Sequence, residues 1–324
     1  MEATLDANRL RLGERLSVSF QRTLRLPDDG RTYPLPPGLG AFPVRRVADF
    51  ADRVPATWRE RDGFFIPMYQ REALWLGFTA AAWKPNVVKV GVGRVNAVSG
   101  DPWNEKLHDD PQDYVVCPNQ PWLDGINAGE GYIRQFVAMP LGLGYTVEGQ
   151  LTGSEEFGGI QLLAYEPKPG RFPDQAPPTE SSPTGMPLRL SAPMTGPSAE
   201  MGLAVGGRMK QKIYPDPYGC ETWDEQNLTR AFVHIVNSEQ YEAITGEKTP
   251  LTPVSAETYT RHGLPWFDLY DEHAGDLKAA KRLRRVKSIN ERDEEGGTSL
   301  EEESLGDVPD SQIKKLRHGR SVDN

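Results

Sequence analysis

Residues 133–165, IRQFVAMPLGLGYTVEGQLTGSEEFGGIQLLAY, decide the fold class. Ile133 to Met139 and Ile160 to Tyr165 are short apolar runs bounded by glycine clusters, as strands are. Between them Tyr145 to Leu151 alternates apolar and polar positions, so the stretch predicts three strands at roughly ten-residue spacing. Gly142-Leu143-Gly144 and Gly153 to Gly159 have hairpin turn chemistry, because glycine enters positive-φ turns without a Cβ clash.

The same signals extend in both directions. Leu16, Val18 and Phe20 alternate with Ser17 and Ser19, which marks a strand with one buried face. Asn86 to Ser99 is valine-rich, and its Gly91 and Gly93 predict a bulge or a close backbone approach. Phe232 to Val236 (FVHIV) is continuously apolar and reads as a central strand, with His234 a hydrogen-bonded core histidine. Helix signals are fewer: Ser238 can cap a short helix ending at Gly246, and Ser255 another ending near Gly263. Leu277, Ala280 and Leu283 stand at helical spacing in Asp276 to Val286.

Short strands separated by glycine and proline turns predict a mostly β fold, a sandwich or barrel-like body of antiparallel strands with a few short helices. The expected organisation is a β-rich body over 1–165, a Pro-rich excursion or linker over 166–197 and the remainder of the body, with short helices, over 198–274. A basic helix over 275–290 and a disordered charged tail over 291–324 follow. Nine prolines between Pro167 and Pro197, flanked on both sides by sheet-forming segments, favour an excursion from one body. The stretch after Glu291 is too poor in apolar residues to repay its ordering entropy.

The chain of 324 residues carries a net charge of −9. Eleven basic and eleven acidic residues fall from Gly275 onward, so the whole −9 belongs to the preceding 274. An acidic body disfavours nucleic acid and anionic membranes as partners. No apolar run approaches the ~20 residues that span a bilayer, and Met1 to Leu16 lacks a signal peptide's apolar core. The expectation is a soluble, cytoplasmic protein. Two cysteines, Cys117 and Cys220, exclude a disulfide framework and a cysteine zinc site. Cys117 reads as a buried small hydrophobe, and Cys220, in a turn, as the one candidate reactive thiol.

Three segments hold candidate chemistry. Gly91-Val-Gly93-Arg-Val-Asn96 resembles a dinucleotide fingerprint, but Asn96 replaces the third glycine and no helix follows to hold a phosphate. His262, Asp268, Asp271 and His273 lie in HGLPWFDLYDEH at spacings that fit no ligand pattern. The interleaved Trp266 and Phe267 make that segment an apolar latch. Asp101 to Arg134 concentrates tryptophans, carboxylates and amides on a glycine-rich stretch. Its Trp103, Trp122, Asp124, Asn127, Glu130 and Arg134 are the candidate ligand-binding residues, with ring faces for stacking and oxygens for hydrogen bonds to a small polar ligand. The competing, structural reading places the tryptophans at the core edge and the acids in Asx turns and caps.

No Gly-x-Ser-x-Gly elbow or phosphate-binding loop occurs, and no metal site or cofactor is expected. In Lys278 to Lys287 (KAAKRLRRVK) six basic residues precede seven acidic ones between Glu291 and Glu303, so that segment neutralises itself. The expected function is non-catalytic binding or assembly, with a protein partner or self-assembly first and a small polar ligand second. The alternatives are a carbohydrate-active enzyme using Asp124 and Glu130, and an adaptor using the basic segment.

Overall fold

Seven strands carry the architecture: β1 (Leu16–Thr23), β2 (Ala73–Thr79), β3 (Asn86–Val92), β4 (Tyr132–Pro140), β5 (Ile160–Pro167), β6 (Glu200–Lys210) and β7 (Trp223–Asn237). The computed structural model describes residues 2–176, 200–251, 254–270, 275–297, 305 and 307–317. The seven pair antiparallel in the order β1, β2, β4, β6, β7, β5, β3. The Arg9–Leu12 strand extends the sheet beyond β1, and Val115–Cys117 extends it beyond β3. Phe64–Met68 lies parallel to the end of β7.

This long sheet folds back on itself. Leu10, Phe20, Leu76, Phe136 and Val205 from its first half share one core with Val90, Leu162 and Val233 from its second. The fold is therefore mostly β, as the alternation predicts. Val88, Val90 and Val92 of β3 face that core, while Val87 packs outward with Leu163 and Tyr165 of β5 beneath Trp223. Strands covered on both faces have no polar side to show, hence the continuous apolar runs at β5 and FVHIV.

Four local expectations need correction. Tyr145 to Leu151 is not a strand: Val147–Thr152 is a helix. The Thr146 hydroxyl accepts from the Gly149 N–H at 3.0 Å, and the Glu155 carboxylate takes the N–H groups of Gly144 and Thr146. Glu148 similarly gathers the N–H groups of Glu156, Phe157 and Gly158. These side chains fix a capped helix where the alternation alone suggests a strand. At Gly93-Arg94 the chain makes a two-residue hairpin turn, not a bulge, with both φ angles positive and Val92 paired to Val95. The expected close approach is at Gly91, where a Cβ would stand 2.7 Å from the Trp103 ring. The helix beginning at Ser238 is capped by the Asn237 side chain one residue earlier.

The basic helix over 275–290 is the fourth. The chain there is an irregular strap with a single 3-10 turn at Leu283–Arg285. Its backbone groups bond to the body: Leu277 N–H to Ile213, Ala280 N–H to Asn127, and the Arg134 guanidinium to the Val286 carbonyl. Leu283 and Val286 are fully buried in the main core. Tertiary partners satisfy what an isolated helix would satisfy internally. A helix follows at Ile289–Glu295, capped reciprocally by Ser288 and Glu291.

Of the expected disordered tail, 298–304, 306 and 318–324 lie outside the described residues, as do 177–197 of the Pro-rich stretch. The described part of the tail includes the end of that helix and a strand, Ile313–Arg317, parallel to Trp266–Tyr270. Among the described residues no helix is long and apolar enough to cross a membrane.

Candidate functional site

A short strand, Trp122–Leu123, pairs with β2 so that Trp122 stands opposite Gly77 and Leu123 opposite Leu76. Leu76 and Leu123 point into the core. Alternation therefore turns Trp75, Gly77, Trp122 and Asp124 to the outer face. Gly77 is required there: a Cβ would sit 2.7 Å from Ser19 Oγ and 3.0 Å from the Trp75 ring. Across that gap the Trp75 and Trp122 rings meet at 69°, with centroids 6.4 Å apart, and form an aromatic corner.

The opposite wall is Leu35, Pro36, Pro37 and Phe267. Leu35 and Phe267 exchange backbone hydrogen bonds of 2.8 and 3.0 Å. Phe267 is placed by its neighbour Trp266, which is fully buried, lies edge-on to Tyr259 and donates to the Thr260 hydroxyl at 3.0 Å. The described part of that segment, His262 to Tyr270, thus docks on the body as a latch, and the latch supplies one wall of a cleft of about 190 Å³.

Asp124 lines that cleft at only 4% exposure. Its backbone N–H donates to Gln211 Oε1 at 3.1 Å, and Gln211 Nε2 donates to Asp124 Oδ2 at 3.2 Å. Oδ1 is sealed from solvent and has no hydrogen-bond partner. Burial pushes the carboxyl up to about 8, against the opposing effect of the Gln211 hydrogen bond. At neutral pH the group is mostly protonated and neutral. In that form it is a hydrogen-bond donor.

Of the six candidate residues, only Trp122 and Asp124 share this cleft. Asn127 and Arg134 hold the C-terminal strap, through Asn127 Nδ2 to the Lys278 carbonyl at 3.0 Å and Arg134 to Val286 O at 2.6 Å and Glu291 at 3.2 Å. Glu130 is exposed in the turn before Gly131. Trp103 lies against Gly91 and lines a separate pocket of about 360 Å³ with Gln161, Glu105 and Phe232. The sequence reading missed Trp75, the two prolines and Phe267. The alternation of Ala73–Thr79 does point Trp75 away from the core, but cross-strand register is needed to bring it to Trp122.

Compared with protein families, curated proteins and solved structures, the chain matches none.

The remaining polar clusters have local partners. Lys89, 1% exposed, pairs with Asp113 at 2.8 Å, and Asp113 also holds His108 Nδ1 at 2.7 Å. Asp268 pairs with Lys210 at 2.8 Å and His262 is exposed, whereas Asp271 and His273 lie outside the described residues. His234 stacks on Trp58 at 4.4 Å and donates through Nε2 to the Asp62 carbonyl; burial holds it down to about 3, so it is a neutral core histidine. Burial raises both cysteine thiols, Cys117 and Cys220, which removes thiolate character from Cys220. In the basic strap Arg282 reaches Asp101 at 3.6 Å and Lys287 pairs with Glu295. Among the described residues no group of three or more His, Cys, Asp or Glu is placed to hold a metal ion.

Proposed function

We propose that this is a non-catalytic binding protein whose ligand site is the cleft between the Trp75–Trp122 corner and the Phe267 latch. The observation that carries the reading is a nearly buried carboxyl, Asp124, with one partnerless oxygen, in the lining of an otherwise apolar and aromatic cleft. A buried polar atom without a partner costs about 1–3 kcal/mol, and a ligand group that bonds it removes the cost. Apolar walls with one directed polar group are the usual make-up of a small-molecule site.

Assembly has less support. The exposed large apolar residues among those described are Leu143, Tyr218, Val254 and Leu264, which are scattered along the chain. The raised pKa of Asp124 also favours a second reading, an enzyme with Asp124 as general acid. Acid–base chemistry on a sugar needs a second carboxylate, and among the described residues lining the cleft Asp124 is the sole titratable side chain.

The test is a ligand-induced shift of the unfolding midpoint, run on the parent, Trp75→Ala and Trp122→Ala against a panel of small polar and charged molecules. Binding at about 100 times Kd stabilises by about 2.7 kcal/mol, a shift of several degrees. The expected result is a shift in the parent that both variants lose. No response in the parent, or one that survives in both variants, refutes the cleft as the site.

A further inference from the structure

We infer that the ligand of this cleft carries a small substituted ammonium group, seated in the corner of Trp75 and Trp122 with its charge toward Asp124. This rests on the reading of the cleft as a ligand site and names the chemistry that fits it.

Three features converge on that class. The two indoles, at 69° and 6.4 Å in an edge-on arrangement, both line the cleft and give it aromatic surface on two sides. Such a corner attracts cations, and quaternary ammonium groups most readily, because their methyls also satisfy the apolar walls. Among the described residues lining the cleft Asp124 is the one side chain that ionises, and it ionises to a carboxylate, the form an ammonium group stabilises. An anionic ligand would oppose that ionisation, and a neutral sugar would leave the apolar wall of Pro36, Pro37 and Phe267 facing hydroxyls. The protein's net charge of −9 adds a long-range attraction for cations.

Size and backbone pairing narrow the source. A volume of 190 Å³ holds roughly six water-sized groups, enough for a trimethylammonium head and a short stem but not for two sugar rings. Peptide addition along the cleft wall finds no free main chain at Leu35 and Phe267, because those residues already satisfy one another. The occupant is therefore a small molecule.

Choline and 3,3-dimethylbutan-1-ol test this, since they share a shape and differ in the charge of one atom. Calorimetric titration of each into the full chain gives the result directly. Choline is expected to bind at least about tenfold tighter than the alcohol, and Asp124→Asn to reduce that preference severalfold while the indoles retain the remainder. The comparison in the parent needs no variant to fold. Equal affinity of both probes, abolished in Trp122→Ala, would overturn the ammonium assignment and leave the cleft as a site for uncharged ligands. No binding of either probe also overturns it, while the ligand panel decides the cleft separately. A choline preference unchanged in Asp124→Asn would sink the role given to that carboxyl.

Discussion

Asp124→Asn should turn a pH-dependent protein into a less dependent one, and the size of the change follows from the structure. Burial holds the carboxyl up to about 8 in the folded protein, whereas in the unfolded chain an aspartate titrates near 4. Between those values the folded state keeps a proton that the unfolded state has released. Stability therefore falls as pH rises through the window, by about 1.4 kcal/mol per pH unit. At pH 7 about three pH units have accumulated, a cost on the order of 4 kcal/mol. Asparagine does not ionise and escapes all of it. Its side chain can still pair with Gln211, but its extra N–H replaces an oxygen that has no partner, which costs about 1–3 kcal/mol.

The two effects give a crossing. Near pH 4 the variant should be less stable than the parent by about 1–3 kcal/mol, because both side chains are then neutral and only the misplaced N–H counts. At pH 7 to 8 it should be more stable by about the same amount or more. Urea unfolding of parent and variant at about pH 4.5, 6 and 8 measures the difference. Stability curves that run parallel across the window would refute the reasoning, since a carboxylate that is ionised throughout contributes no such slope. A variant destabilised equally at every pH would assign Asp124 to the fold and not to the cleft.

Trp266→Ala should cost about 3–5 kcal/mol in urea unfolding, because a fully buried indole leaves a cavity and frees the latch. Asp293→Ala should cost about 3 kcal/mol, since it strands Arg71, which bonds both Asp293 oxygens at 2.8 Å. Burial would raise that carboxyl, but hydrogen bonds from Arg71 and Tyr145 outweigh it and hold it low. Its contribution is present above about pH 4 and is lost as pH falls through the folded value. His234 works in the same direction: the unfolded chain gains a proton below about pH 6.5 that the folded core refuses down to about 3. By pH 5 the loss should be about 2 kcal/mol, and His234→Phe, which keeps the stack on Trp58, should remove that part of the acid sensitivity in a pH-series denaturation.

The fold class was legible because its signal is local. Leu16, Val18 and Phe20 sit on one face of β1 whatever the rest of the chain does, and FVHIV is apolar throughout because β7 is enclosed. Tyr145 to Leu151 misled for the opposite reason. Its alternation is real, but Glu155, several residues downstream, captures the loop N–H groups and the Thr146 hydroxyl proton, which leaves the Thr146 oxygen to accept from Gly149 and cap a helix. In Asp276 to Val286 the helical spacing of Leu277, Ala280 and Leu283 records burial against the body, and the backbone partners lie on Asn127, Arg134 and Ile213. At the cleft, Trp122 and Asp124 were visible as an unusual pair of residue types. Trp75, Pro36 and Phe267 were not, because a strand register and a latch 143 residues beyond Asp124 in sequence bring them there.

Among the described residues, the hydrogen bonds at Asp124 do not require a carboxyl. Gln211 is its side-chain partner, and an amide would serve that partner without the cost of ionisation. The charged side chains on adjoining segments are engaged elsewhere, Lys210 with Asp268, Arg134 with Glu291, and Asp276 with the N–H groups of Gly131 and Ile213. The proposed ligand would offset that cost from the cleft, which Asp124 lines. A cationic ligand offsets it only by binding the ionised form, so binding must expel the proton held at neutral pH. Choline affinity should accordingly rise by nearly tenfold per pH unit below about pH 8 and level off above it. Calorimetry in two buffers of different ionisation enthalpy should detect close to one proton released per choline at pH 6 to 7. An affinity independent of pH, with no proton released, would mean that the carboxyl is not what the cation meets.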